Sequence, residues 1–472
     1  MGVAVPAQHE FAVDAALGVS SVLTRLTCSK PLIAAGRHVR STAMSRRDQL
    51  LGLAGRSRQV VVAAALVGAV TGFAVAGFER LTLNGVFDHA VAHLPLWLLA
   101  FAPGVGLVVA NLWLRGPGRG LSPSTSDAYL EAFHHGAPLR LRALVHRLIA
   151  AVATLGSGGA LGLEGPSMYL GATIGSVAPR RFHRLFGAAD PNLLLVAGAA
   201  AGIAAIFKAP ATGAIFAIEV PYQDDFARRM LLPALVGAAS GYVALAAVNG
   251  TSPLFPISGS PPISFSDLAG AAALGIAAAA GARAFAGLLL RAKRVAESPQ
   301  LGVRIARVIA AAGTIAALFV LGRILTGESL VLNPGYGVVN WALDPKRGVA
   351  LLLAILVLRC LATGATVAGG GVGGLFVPLV VAGALLGRAF GAAFGLDESL
   401  FLVLGVAAFL GAGYRVPLAA VVFVAESTGR PGFVVPGLIA AVVAEICMGD
   451  ASVTAYQLPP RFGGGPASTE EP

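Results

Sequence analysis

Glu164 is an ionisable residue set among apolar ones, in the run Gly162-Leu163-Glu164-Gly165-Pro166-Ser167. Proline suits the first turn of a helix, so Gly165-Pro166 reads as a helix start. A helix N-terminus exposes free N–H groups and partial positive charge, which attract anions. A carboxylate at such a place can occupy the seat of an anion. A proton on that carboxylate removes its charge and frees the seat. The plainer reading is a helix-capping glutamate. An ionisable side chain within a membrane segment favours the functional one.

A second run, Gly373-Gly374-Leu375-Phe376-Val377-Pro378, also opens a helix out of a glycine stretch. Its freed N–H groups around Leu375 and Phe376 are placed to face the same anion as Glu164. Glycine lets the backbone approach a ligand closely. A packing hinge is the plainer reading of this run taken alone.

The elements that carry these runs repeat. Phe207-Lys208-Ala209-Pro210, ending at Glu219, is echoed by Tyr414-Arg415-Val416-Pro417, ending at Glu426. Upstream, Pro166, Gly171 and Gly175 repeat their spacing at Pro378, Gly383 and Gly387. Two echoing halves with glycine-rich broken helices in matching places predict a transporter or channel whose site lies between the halves. Glu219 and Glu426, in matching repeat positions, are expected to cap or pair at helix ends.

Composition agrees. Of 472 residues, 56% are apolar and 12% charged, too few charges to cover a soluble surface of this size. Apolar runs recur along most of the chain, several of them near the roughly 20 residues that a simple span needs. Others, such as 163–178 and 208–220, are short and bounded by glycine or proline, and are tolerated only when buried in protein or lining a cavity. The 61 glycines suit close helix packing in a bilayer. The net charge of +11 does not indicate nucleic acid. The bases cluster in patches outside the apolar runs, such as Arg37-His38-Val39-Arg40, Arg46-Arg47, Arg56-Ser57-Arg58 and Arg291-Ala292-Lys293-Arg294. That distribution places the N-terminus and the loop near 291–304 in the cytoplasm. Cys28, Cys360 and Cys447 are scattered and form neither a disulfide framework nor a metal spacing. No metal, cofactor or nucleophile–base pair is indicated, so an enzyme is not expected.

The chain divides into an N-terminal tail (1–58), a transmembrane domain (59–457) and a short C-terminal tail (458–472). The tail is polar and rich in arginine, and Met44 is an alternative start. Repeat one covers about 59–248 and repeat two about 265–457, with Asn249–Pro262 as the extramembrane connection.

Gly-Leu-Glu-Gly-Pro at 162–166 resembles the G-(K/R)-E-G-P signature of the CLC chloride channels and chloride/proton antiporters. Gly374-Leu375-Phe376-Val377-Pro378 is similar to their G-x-F-x-P signature, and Gly198 through Pro210 to Glu219 resembles the next stretch in that family. The resemblance covers about 60–457. It implies an all-helical membrane fold of two inverted-topology repeats, whose broken helices meet at a central anion site. It also implies a multi-pass homodimer surrounded by lipid, with one anion path per subunit; the high alanine, glycine and arginine content suggests a bacterial inner membrane. By resemblance Glu164 is the external gating glutamate, and Gly165, Leu375 and Phe376 belong to the anion site. Tyr456 falls where the family places a hydroxyl on the anion, a donor with no charge to trap it. An interfacial belt tyrosine is the plainer alternative.

The chain departs from the family at three places. The first family signature, G-S-G-I-P, corresponds to Gly118-Arg119-Gly120-Leu121-Ser122-Pro123-Ser124, which leaves Ser122 as the candidate anion serine by a one-residue shift. Leu163 replaces the base before the gating glutamate, and Lys208 is a candidate to restore positive charge elsewhere. Val220 stands where family antiporters carry a second glutamate on the inner proton route, and a valine cannot relay a proton. The expected function is therefore passive: a voltage-gated chloride channel or uniporter gated by Glu164, with a field sensitivity of about 2.3 kcal/mol per charge per 100 mV. A proton-coupled chloride antiporter is the alternative, with Asp224, Asp225 or another group as inner relay. Transport of fluoride or nitrate stays open through the altered serine motif.

Overall fold

The computed structural model describes residues 46–181, 190–223, 225–252, 254–255, 263–297 and 301–459. The chain divides into two units, Met1–Gly52 and Leu53–Pro472. Of the first, only 46–52 is described, and it is helical. The expectations for Met44, Cys28 and most of the N-terminal tail, for Asp224, and for the C-terminal tail from 460 onward lie outside the described residues. The helices that carry the signature runs all belong to the second unit.

Eight helices among the described residues are long and apolar enough to cross a membrane. They are α1 (Arg58–Val91), α2 (Leu96–Arg115), α8 (Arg228–Asn249), α9 (Phe265–Glu297), α10 (Gly302–Thr326), α12 (Val349–Ala368), α13 (Phe376–Phe394) and α16 (Pro431–Met448). Between them lie α3 (Thr125–His135), α4 (Leu141–Gly156), α5 (Glu164–Arg181), α6 (Pro191–Phe207), α7 (Pro210–Glu219), α11 (Tyr336–Ala342), α14 (Glu398–Tyr414) and α15 (Pro417–Thr428). No sheet forms among the described residues, which hold two isolated bridges, Gly162 with Gly374 and Tyr222 with Leu458.

The repeated sequence pattern has a direct physical meaning. Helices α6 and α14 are apolar on every face and buried almost throughout, as central helices must be. Each ends on a left-handed residue, Lys208 (φ 54°) and Arg415 (φ 57°). Each then restarts at a proline in the first helical position, Pro210 and Pro417. The two helix breaks are thus the same turn, built twice. The glycine spacing is a contact seam. A Cβ on Gly171 would lie 1.9 Å from the carbonyl oxygen of Gly198, and one on Gly383 would lie 2.3 Å from that of Gly405. Helix α5 therefore packs on α6 as α13 packs on α14, backbone against backbone.

Helices α7 and α15 lie head to tail. Glu219, at the C-terminus of α7, accepts the N–H groups of Leu418 (3.1 Å) and Ala419 (2.8 Å) at the start of α15. Glu426, near the end of α15, accepts those of Ala211 (2.9 Å) and Thr212 (2.7 Å) at the start of α7. The capping role expected of these two glutamates is what the structure shows. An exchange between matching positions on antiparallel helices is what an inverted repeat produces, because the two-fold axis then runs across the helices.

Candidate functional site

The same exchange recurs where the two signature loops meet. Gly162 donates to the carbonyl of Gly374 (2.9 Å), and Gly374 donates to that of Gly162 (2.7 Å). Thr154 on α4 accepts from Val372 N–H (3.1 Å), while Thr366 on α12 accepts from Ala160 N–H (3.4 Å). Each half thus fastens the other's loop, with the pseudo-two-fold axis passing between Gly162 and Gly374. The symmetry breaks at the glutamate. Pro166 matches Pro378, so Glu164 in the first half matches Phe376 in the second.

That glutamate crosses to the partner loop. Its Oε1 accepts the backbone N–H of Phe376 at 2.6 Å and that of Val377 at 3.3 Å. The side chain is buried, and its Oε2 has no hydrogen-bond partner. A carboxylate thus sits on the N-terminus of α13, the place whose free N–H groups and dipole favour an anion. The glycines make the room. A Cβ on Gly374 would lie 2.2 Å from Oε1, and one on Gly162 would lie 1.8 Å from Oε2. Gly165 packs at the same point, where a Cβ would meet Thr125 Oγ1 at 2.6 Å and the Cα of Gly374 at 3.0 Å. We expect Gly374→Ala to displace the Glu164 carboxylate and to cut transport at least tenfold while the protein still folds. Flux in vesicles, set beside gel-filtration behaviour, checks it.

Phe376 is wholly buried in an aromatic cluster. Its ring centroid lies 4.3 Å from Phe207, 4.9 Å from Phe423 and 5.4 Å from Phe216. All three partners lie in the two runs that the repeat marked, 207–219 and 414–426. The cluster fixes the backbone that carries the N–H donors.

On the other side of Leu375 lies a cavity of about 240 Å³. Leu375, Ser122 and Tyr456 all line it, so three of the residues named from sequence meet around one space. Ser122 is exposed there, its hydroxyl accepting the N–H of Ser124 at 3.2 Å. Arg147 holds its loop by donating to the Ser122 carbonyl at 3.1 Å. Tyr456 is 46% exposed. Leu375 and Phe376 serve different places: the Phe376 amide meets Glu164, whereas Leu375 lines the cavity together with Tyr414. Val377, not singled out in the sequence, shares the Glu164 carboxylate.

Tyr414 was also missed as a site residue. It is buried at 1% exposure and lines the cavity together with Ser126 and Leu375. One signal was present. Tyr414 matches Phe207 in the repeat, so of the two aromatic positions only this one carries a hydroxyl.

The cavity also holds carboxylates. Asp127 on α3 pairs with Lys293 at 2.8 Å and accepts from the Ser124 hydroxyl at 2.7 Å. Its Oδ1 is buried without a partner. Glu131, one turn on, is exposed and lines the same space. Val220 is buried, and its carbonyl accepts Gln457 Nε2 at 3.0 Å, so no titratable side chain stands at that position. Asp225 is spent locally, its Oδ1 accepting the N–H of Phe226 at 2.8 Å. Lys208 donates to the Asn249 carbonyl at 3.3 Å and does not line the cavity. No group of His, Cys, Asp and Glu among the described residues could hold a metal.

A sequence model of the family described as voltage gated chloride channel matches residues 106–449. The H(+)/Cl(-) exchange transporter ClcA of Salmonella paratyphi B is 29% identical over 423 residues, covering 84% of this chain and 87% of its own. The protein of the same name from Salmonella typhimurium matches equally. Among solved structures, a slow cyanobacterial Cl⁻/H⁺ antiporter shares the fold with a TM-score of 0.73, at 22% identity, over 83% of this chain and 94% of its own. A CLC-type fluoride/proton antiporter does so with a TM-score of 0.70, at 22% identity, over 88% and 100%.

The passive channel or uniporter expected from Val220 is overturned by these relatives, which are exchange transporters by name and match over 87% of their length. The physical reason is that an apolar residue at 220 removes a carboxylate from one position without closing every inner route for a proton. The match to the family over most of its length, on an all-helical fold of two inverted repeats, also sets aside an enzyme: this multi-pass membrane chain belongs to the voltage gated chloride channel family.

Proposed function

We propose that this chain is a proton-coupled chloride antiporter in which Glu164 is both the gate and the outer proton carrier. The observation that carries the reading is the Glu164 carboxylate, seated on the Phe376 and Val377 amides with its second oxygen unpartnered. Ionised, it fills the anion's place. Protonated, it loses its attraction for the helix N-terminus, leaves, and an anion takes the amides. One site thus serves anion and proton in turn. The names of the exchange transporters that resemble the chain support chloride and protons as the pair.

The anion reaches the amides from the cavity, passing the hydroxyls of Ser122, Tyr456 and Tyr414. These are neutral donors, which bind an anion without trapping it. Gly165 supplies the close approach beside Gly374. Inner protons enter through the cavity carboxylates, Asp127 and Glu131, in place of an acid at Val220. In the double variant Asp127→Asn, Glu131→Gln we expect proton movement per chloride to fall at least fivefold while chloride flux persists. An unchanged ratio would move the inner route elsewhere.

The protein acts in a bacterial inner membrane, as a homodimer, with its N-terminus and the 291–304 region cytoplasmic. The base-rich patches support that orientation. Exposed apolar side chains on the long helices, such as Trp97, Ile324 and Ile446, support direct contact with lipid. The chain then has three domains, a tail (1–58), a transmembrane domain (59–457) and a C-terminal tail (458–472).

The deciding experiment imposes a chloride gradient across proteoliposomes and records chloride and pH together. Protons driven uphill in fixed ratio to chloride establish exchange. Chloride movement with no proton movement refutes it.

A further inference from the structure

A second cavity, of about 380 Å³, adjoins the first and shares Pro123, Ala296 and Glu297 with it. Its character is different. Four arginines line it: Arg115 from the end of α2, Arg119 from the following turn, and Arg304 and Arg307 from the start of α10. Glu297 is the one acid among the lining residues. No ion pair among the described residues joins Arg115, Arg119 or Arg307 to a carboxylate.

The arginines are brought together rather than scattered. Arg115 and Arg307 donate to one and the same acceptor, Asn111 Oδ1, at 3.3 Å and 3.2 Å. Their guanidinium groups are therefore neighbours with a single neutral oxygen between them. Arg304 lies within the electrostatic reach of both. Arg307 is held by the carbonyls of Val295 and Ala296, yet its Nε is buried with no partner. Like charges gathered around one cavity repel, and a ligand of opposite charge offsets that. A bound multivalent oxyanion offsets it best. The planar arginine fork matches phosphate oxygens two at a time, whereas a halide offers no such geometry.

We infer that this arginine-lined cavity is a binding site for a phosphate-bearing ligand, either a free di- or polyphosphate or the headgroup of an anionic phospholipid, distinct from the anion path. The cavity is also wired to the transport loop. Asn111 donates to the Gly369 carbonyl at 2.6 Å, and Gly370 lines the cavity wall. Gly369 and Gly370 open the glycine stretch that ends at the Leu375 and Phe376 amides. A ligand that draws Arg115 and Arg307 off Asn111 thereby acts on the base of that stretch.

The test uses the full chain in detergent with chloride in excess, so that a site satisfied by halide reads as no binding. Inorganic pyrophosphate is titrated calorimetrically, and lipid retention is read by native mass spectrometry after exchange into phosphatidic acid. Saturable pyrophosphate binding, weakened at least tenfold in Arg115→Gln/Arg307→Gln, supports the site with a soluble source. Phosphatidic acid retained by the wild type and lost from the variant, without pyrophosphate binding, supports it with a lipid source. The exposed residue gives a second variant, Arg119→Gln, should the double substitution fail to fold, with at least a threefold weakening expected. Neither ligand binding to the wild type, or binding unchanged in the folded variants, overturns the inference. It does not rest on proton coupling, so the two readings fail separately.

Discussion

Replacing Glu164 by glutamine is expected to abolish proton movement while leaving chloride to run down its own gradient. Glutamine has nearly the shape of protonated glutamic acid, with no charge to hold it on the Phe376 N–H that Glu164 Oε1 accepts at 2.6 Å. It can neither take up nor release a proton. It also lacks the negative charge that competes with an anion for the N-terminus of α13. The variant therefore stays close to the protonated state in which the anion's place is free. The proton-to-chloride ratio should fall at least tenfold, to the background of empty vesicles, and the remaining flux should lose its dependence on external pH. The check is simultaneous recording of chloride and pH at several external pH values. Uphill proton pumping that survives in Glu164→Gln would remove this residue from the proton route.

The second large effect concerns stability. Glu219→Ala should destabilise the protein by about 2–6 kcal/mol, because it leaves two N–H groups, those of Leu418 and Ala419, without acceptors, at about 1–3 kcal/mol each. Glu426→Ala strips Ala211 and Thr212 in the same way, and the Thr212 hydroxyl besides, at 2.6 Å. Both glutamates bridge the same pair of helices, α7 and α15. The double variant should therefore cost less than the two single losses added together, since the first breaks geometry on which the second depends. Thermal unfolding in detergent measures this. A change within error in both single variants would mean that water or a shifted side chain takes over the caps. Glu219→Gln should fall between, since one amide oxygen still accepts and the amide nitrogen then faces a donor.

Both predictions rest on residues singled out in the sequence, which separates what was legible from what was not. Glu164 stands out because a carboxylate among apolar residues beside Gly165-Pro166 is costly unless something holds it. Glu219 and Glu426 were read as caps from their matching positions. Val377 and Tyr414 were not read as part of the site. Which amide of a helix N-terminus meets a carboxylate from another helix depends on the crossing of the two loops, set by the Gly162–Gly374 bridge. No local pattern encodes that crossing. The passive function inferred from Val220 failed for a related reason: a substitution at one position was taken to close a route that other elements can supply.

The sequence by itself determined the membrane class, the doubled architecture and the helix starts at Pro166 and Pro378, and it marked Glu164 as the candidate gating carboxylate. These follow from hydropathy, proline stereochemistry and glycine spacing, all local or periodic properties of the chain. The tertiary structure decided which groups share a space. It turned the Phe376 amide towards Glu164, put Leu375, Tyr414, Asp127 and Glu131 on one cavity wall, and gathered Arg115, Arg119, Arg304 and Arg307 around a second cavity. Such meetings join residues far apart in the chain through helix packing, and the physical cause is the two-fold closure of the halves, which no single segment carries.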